Sequence, residues 1–486
     1  MSAPWRALRR LLAWLGIAAV GLAALALLLF GAAFLINTHD EAQSALVRTL
    51  LVPPPNPFRP EDNIYLAIEG FDAPAGESVT AAGAARIERY NRSVDAALRD
   101  PSPARLTSLH ARDPHRLQFA GDISFVQPLT GSVWRAAPVH EAEIRKLLAD
   151  NGELYRRYLD LLPLRGYYET ARPSGLAPYP LGPGDVHRLF LAVTALHVRS
   201  PFAHERARAL ADLQLDAQLW RAVFSGEGTL VSKMVATAFL QADELLLADM
   251  IADPEVALPL GEQDADGFVP VRGLKDWDLG SAFAAEFRVN SSMLRQTAQL
   301  AADAWVPDTQ ARSGLRGWLN RLDSRIEGQF FKLQASENLL ARQTLRRMGA
   351  AGGPSGYLRS RSGPHGLFPE GESLWAHAYN APGKILAAMA DPAYDNYLLR
   401  AWDAAALERL VRLSYEIRRA RIAPTAIPGF LGQHTGWSTH PADQRPFLWD
   451  AARGELRVQT LAQGPPGRRF SVGVWNPALA PPAPPR

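Results

Sequence analysis

The chain has 486 residues, 52 Lys and Arg against 49 Asp and Glu, and no cysteine. Without thiols there can be no disulfide, iron–sulfur cluster, thiolate zinc site or cysteine nucleophile. Arg6, Arg9 and Arg10 account for the whole formal charge of +3, so the rest is neutral on balance and carries no electrostatic footprint for nucleic acid.

Leu11 to Ile36 holds no charged residue. As a helix it reaches roughly 39 Å, enough to cross a hydrocarbon core of about 30 Å. It exceeds the apolar stretch of a secretory signal, about 7–15 residues, and Phe34-Leu35-Ile36-Asn37 is a poor cleavage context. The reading is a membrane anchor: residues 1–10 a cytoplasmic basic tip, 11–36 a transmembrane helix whose partner is the lipid bilayer. The three arginines before it, with His39, Asp40 and Glu41 after it, place the N-terminus in the cytoplasm and the bulk across the membrane. An Arg- and Ala-heavy composition with few lysines looks bacterial, which makes the membrane an inner membrane and the far side a periplasm.

Residues 37–62 are expected to hold a juxtamembrane helix and a Pro-rich stem, VPPPNPFRPED, acting as a semi-rigid spacer. Region 63–350 reads as a helical domain. Apolar spacing predicts helices over about 63–71 and 81–98, an irregular stretch over 101–138, and a helix from Val139 through Leu162. Asp185 is the expected N-cap of the next helix, followed by helices from Ser200-Pro201 to Phe224 and from Thr229 to Ala252. Connections this short predict antiparallel packing of these three. Helices over about 281–304 and 315–348 follow. Residues 349–373, with seven glycines and three prolines, read as a long loop, and 351–375 forms a Gly/Pro-rich segment between the helical domain and the C-terminal region. Helices return at 382–390, 392–402 and 404–421, and RPFLWD, ARGELRVQTL and RRFSVGVW read as short strands within a 376–475 region. Residues 476–486 form a Pro-rich tail. The fold class is mostly α: an N-terminal transmembrane helix, an antiparallel helical array and a small C-terminal β meander or hairpin.

No familiar catalytic signature is present. His140-Glu141 and His204-Glu205 open like a zinc-protease helix, but Ile144 and Arg208 stand where the second histidine is needed. His197 reads as a hydrogen-bonded core histidine. His434 and His440 are the residues that a metal would use, although their spacing suits neither a helix nor a strand pair, and no metal or other cofactor is expected. Gly353-Pro354-Ser355-Gly356-Tyr357 fails the nucleophile elbow at its last position. Lys233 lies in a helix apolar nearly all round, so it must snorkel or pair, with Asp212 or Asp216 as the expected partners. The clustered Trp402, Trp437, Phe447, Trp449, Phe470 and Trp475 suit core packing better than a carbohydrate platform.

The segment LWRAVFSGEGTLVSKMVATAFLQADELLLADMIA, with Lys233 and Met234, resembles a helical stretch of membrane-anchored bacterial proteins of no established activity. The run from Leu407 to FSVGVW, with Phe447, Trp449 and Asp450, resembles their C-terminal helix and strand. Together the two stretches cover about a quarter of the chain. The resemblance implies an architecture and no chemistry. The expected function is a non-catalytic periplasmic scaffold or interaction module for an envelope protein partner. Lys233, Tyr357, His365 and Phe368 are its candidate contacts, and no catalytic residue can be named. The alternative is an envelope hydrolase acting on glycan or peptide through Asp or Glu residues in a helical cleft. A cleft with two carboxylates about 5–10 Å apart favours the enzyme; a wide apolar groove without perturbed acids favours the scaffold.

Overall fold

A computed structural model describes residues 3–99, 116–175, 183–258, 269–303, 329–361, 373–389, 391–462 and 469–474. In chain order the helices are α1 (Ala3–Ile36), α2 (Ala45–Leu51), α3 (Ile64–Glu69), α4 (Val79–Arg99), α5 (Val133–Val139), α6 (Glu141–Asp150), α7 (Gly152–Leu161), α8 (Gly184–Val198), α9 (Ala203–Ser225), α10 (Leu230–Ala252), α11 (Gly280–Asp303), α12 (Leu333–Ala351), α13 (Pro354–Arg361), α14 (Leu374–Ala378), α15 (Ala381–Met389), α16 (Asp391–Arg419) and α17 (Ile427–Gln433). Strands β1 (Leu448–Asp450), β2 (Glu455–Gln459) and β3 (Arg469–Gly473) form one antiparallel meander. The mostly helical class with a small C-terminal sheet is as the periodicity predicts.

The chain divides into two compact units. The first contains Met1–Val52, Ser291–Gln343 and Arg361–Asp391. Its N-terminal helix is long and apolar enough to span a membrane over Leu12–Ile36. Where α1 ends, side chains take over from the exhausted helical ladder. Asn37 donates to Ala33 O and to Ala378 O, at 2.8 and 2.9 Å, and its own Oδ1 accepts from Asn380 N. Gln329 donates to Asn37 O at 2.7 Å. Asp40 accepts from the backbone of Gln334 and Ala335, so it caps α12 from a distant part of the chain. Glu337 accepts from Gln43, Ser291 and Arg295.

The second unit contains Pro53–Asn290, Thr344–Ser360 and Pro392–Arg486. At its centre α8 buries Leu189, Phe190, Leu191, Ala192, Val193 and Ala195, as an all-round apolar helix must. α9 and α10 pack beside it, joined by turns at 199–202 and 226–229. β2 and β3 pair Leu456 with Val472 and Val458 with Phe470, and all four side chains are buried. Ser414 of α16 donates to Gly473 O at 2.8 Å, tying the sheet to the helix before it.

Several expectations are corrected. The stem is no free spacer: Tyr168 donates to Pro54 O, and Phe58 lies against Gly166 so closely that a Cβ there would collide with it. α5 occupies part of the stretch read as irregular, because Ser132 caps it and Pro138 is tolerated in its last turn. The helix expected from Val139 to Leu162 breaks at Asn151, whose side chain bonds Ala120 and Leu147 instead of continuing the helix. α8 starts at Gly184 after Pro183, with Asp185 in its first turn rather than at the cap. Helices 392–402 and 404–421 are one helix, since Asp403 between them is satisfied by Leu461 N and Ala462 N. The supposed loop begins as helix: α12 runs to Ala351, Gly353 turns the chain at φ 142°, and α13 starts at Pro354. There Gly356 approaches the Gly349 carbonyl so closely that a Cβ would lie 2.2 Å from its oxygen. Gly349, Gly353 and Gly356 thus serve a close helix corner rather than an open chain. The helix expected over 315–328, the remainder of the loop at 362–372 and the tail lie outside the described residues.

Candidate functional site

The turn at 199–202 reverses the chain, so residues equally far from it on α8 and α9 meet. His187 and Asp216 are such a pair, and Asp243 of α10 completes the group. His187 Nε2 lies 3.0 Å from Asp243 Oδ1 and 3.1 Å from Asp216 Oδ2, and all three side chains are buried. The imidazole is held from its faces and edges by aromatic rings. Phe239, one helical turn before Asp243, stacks on it at 4.2 Å and 6°. Asp216 is fixed in turn by Tyr158 of α7, whose hydroxyl donates to Oδ1 at 2.5 Å, and by Trp220 Nε1 at 3.1 Å. His187 Nε2 forms its hydrogen bond with Asp243 Oδ1. Asp216 Oδ2 and Asp243 Oδ2 are left buried with no hydrogen-bond donor.

This arrangement perturbs ionisation. Burial opposes a charge on His187, but Asp216 and Asp243 more than offset it and raise its pKa to about 9. Burial, then the negative Asp216 alongside, pushes the Asp243 carboxyl well above the usual range.

Asp243 also lines a cleft of about 210 Å³. Leu210, Leu213 and Leu247 form apolar walls, and Glu244, Arg221 and Arg272 supply the charges. Buried Glu408 of α16 lies beneath, accepting from Arg221 at 2.5 Å, from Arg272 at 3.3 Å and from Trp277 Nε1 at 3.3 Å. Glu244 faces Arg221 at 3.6 Å and leaves Oε2 without a donor. Burial and the neighbouring Glu408 carry the Glu244 pKa up to about 7, against the pull of both arginines.

The residues singled out in the sequence do not converge on this cleft. Lys233 is fully buried, but it pairs with neither Asp212 nor Asp216. Its Nζ donates to Val223 O at 3.0 Å and to Gly226 O, ending α9 from the neighbouring helix. A short lysine stem on α10 reaches the carbonyls of the adjacent turn before it reaches α9 side chains a helix-length away. Tyr357 is buried edge-on against Trp402 at 5.5 Å, so it is core rather than contact surface. His365 and Phe368 lie outside the described residues. His434 is exposed and bonds Phe430 O, whereas His440 is buried and bonds Asp403 at 3.2 Å. His197 is exposed, not core; the buried histidine of that helix is His187. Among the described residues, the three-membered set of metal-type ligands is His187, Asp216 and Asp243, whose ligand atoms lie within 4.8 Å of one another. Of the C-terminal aromatics, Trp402, Phe447 and Phe470 are buried, as the core reading expects, and Trp437 is exposed.

No family model, curated protein or solved structure matches this chain.

Proposed function

We propose that the chain is a membrane-anchored hydrolase of the bacterial envelope, acting on a glycan–peptide polymer through the acids of the cleft between α9 and α10. The observation that carries this reading is the placement of Asp243 and Glu244. They are consecutive acids on one helix, both largely buried, both lining the same cleft, with a Glu244 oxygen unpaired and Arg221 and Arg272 beside it. An interaction scaffold has no need of buried acids at the floor of a cleft; a hydrolase needs a carboxyl group placed to pass a proton and cations to hold developing negative charge. In this reading Glu244 transfers the proton, Arg221 and Arg272 hold the polar group of the substrate, and the leucine walls exclude water. The charge asymmetry around the apolar helix supports the location: with Arg6, Arg9 and Arg10 before it and acids after it, the N-terminus stays in the cytoplasm and the chain after Ile36 faces the periplasm.

Detergent-solubilised full-length protein, incubated with purified cell-wall sacculi, should release new reducing ends for a glycan cut or new amino groups for a peptide cut. Glu244→Gln should slow that release about 100-fold or more. Failure of the wild type to generate either end group would remove the hydrolase and restore the envelope scaffold, whose partner cross-linking in intact cells would identify.

A further inference from the structure

We infer that His187, Asp216 and Asp243 hold a divalent metal ion of borderline hardness, zinc or manganese being the fitting class. The donor set is one imidazole nitrogen and two carboxylates, a mixture suited to such ions. The separations from His187 Nε2 are 3.0 and 3.1 Å. With bonds of about 2.1 Å, those are the spacings of adjacent ligands at right angles, as around manganese, and a tetrahedral zinc would spread them to about 3.4 Å.

Two observations beyond the cluster point to a ligand. Asp243 Oδ2 is a buried oxygen with no hydrogen-bond donor, and Asp216 Oδ2, likewise without one, has only the imidazole edge 3.1 Å away, an arrangement that costs free energy unless a cation satisfies both. The other contacts are already those of an oriented coordination site. Tyr158 and Trp220 pin Asp216 through its opposite oxygen, and Phe239 stacks on the imidazole and fixes its plane. Outer partners of this kind orient ligands and tune affinity. Asp243 opens onto the cleft, which provides a route from solvent for an ion. The inference adds a cofactor to the cleft but does not depend on the hydrolase reading, because an ion bound here could equally be structural.

The test uses the full chain in detergent, stripped with a chelator and titrated with cobalt(II) as a spectroscopic probe. A saturable visible band with one equivalent per chain, displaced by zinc, is expected. His187→Gln and Asp243→Asn should abolish the band and reduce zinc retained after dialysis about 10-fold or more. His434→Ala should leave both unchanged. Should the cluster variants misfold by circular dichroism, Tyr158→Phe frees Asp216 Oδ1 without removing a ligand and should weaken cobalt binding measurably. A wild type that shows no cobalt band and retains no zinc would overturn the inference, as would a band that survives in folded His187→Gln. Neither result bears on whether sacculi are cut, so the two proposals fail separately.

Discussion

Replacing Lys233 by Met keeps most of the side-chain volume and removes one buried ammonium. In the folded chain that ammonium donates to Val223 O and Gly226 O and lies 5.6 Å from the centre of the Tyr167 ring. Burial nevertheless lowers its pKa from 10.5 to about 8, with Glu169 and Glu227 pulling the other way. Below pH 8 the lysine is charged in both states, and the folded state bears the full cost of burying that charge. Between pH 8 and 10.5 the unfolded chain keeps the proton while the folded chain has released it, so stability rises with pH. At 1.36 kcal/mol per unit, the rise over the whole interval is about 3 kcal/mol. At pH 7 relief of that cost in Lys233→Met is opposed by two carbonyls losing their donor, at about 1–3 kcal/mol each, so the variant should lie close to the wild type. By pH 10.5 it should be the less stable by about 3 kcal/mol more than at pH 7. Guanidinium unfolding of the full chain in detergent, followed by tryptophan fluorescence at pH 7, 8, 9 and 10.5, gives the difference directly. Contributions from groups that do not interact with Lys233 cancel between the two proteins. A stability difference that stays flat or shrinks as pH rises would refute the reasoning.

Asp40→Ala should uncap α12 and cost about 1 kcal/mol; faster amide exchange at Gln334 and Ala335 would report it, and unchanged exchange would count against the cap. Tyr357→Ala should lower stability by about 3–5 kcal/mol, because it removes a buried ring stacked edge-on to Trp402; an unaltered unfolding midpoint would return Tyr357 to the list of surface contacts. A reporter enzyme active only in the periplasm should be active when fused after Arg486 and silent when fused before Leu11. The reverse pattern would displace both the location and the envelope substrate.

Helix placement was legible wherever apolar periodicity ran long. α10 begins and ends at the Thr229 and Asp253 boundaries that the pattern suggests, and the strands fall within the three aromatic and β-branched runs. It failed where glycine and proline were read as breakers without a geometry. Around Gly353 and Pro354 the same residues build a helix corner, and a backbone contact between Gly349 and Gly356 has no signature in composition. The site was half visible. A charge on an all-round apolar helix must have a partner, and that holds for Lys233 and equally for Asp243 and Glu244, ten and eleven residues further along the same helix. It holds also for His187, set among Val186, Leu189 and Phe190. What no single helix reveals is their meeting, since that depends on the two reversals that bring α8, α9 and α10 into register. Glu408 is more distant still: only the packing of α16 brings it beneath Arg221 and Arg272.

The joint after the anchor has a mechanical consequence. Asn37, Gln329, Ala378 and Asn380 form a clamp around the last turn of α1, and Asp40 pins the start of α12 a few residues on. α1 and the rest of the first unit therefore turn as one piece. In a bilayer, which α1 is long and apolar enough to span, a change in its tilt would rotate the first unit by the same angle. Severing the chain after Ile36 to obtain a water-soluble form would spare Asn37, whereas cutting at the proline stem would discard both Asn37 and the Asp40 cap. The soluble protein worth making starts at Asn37.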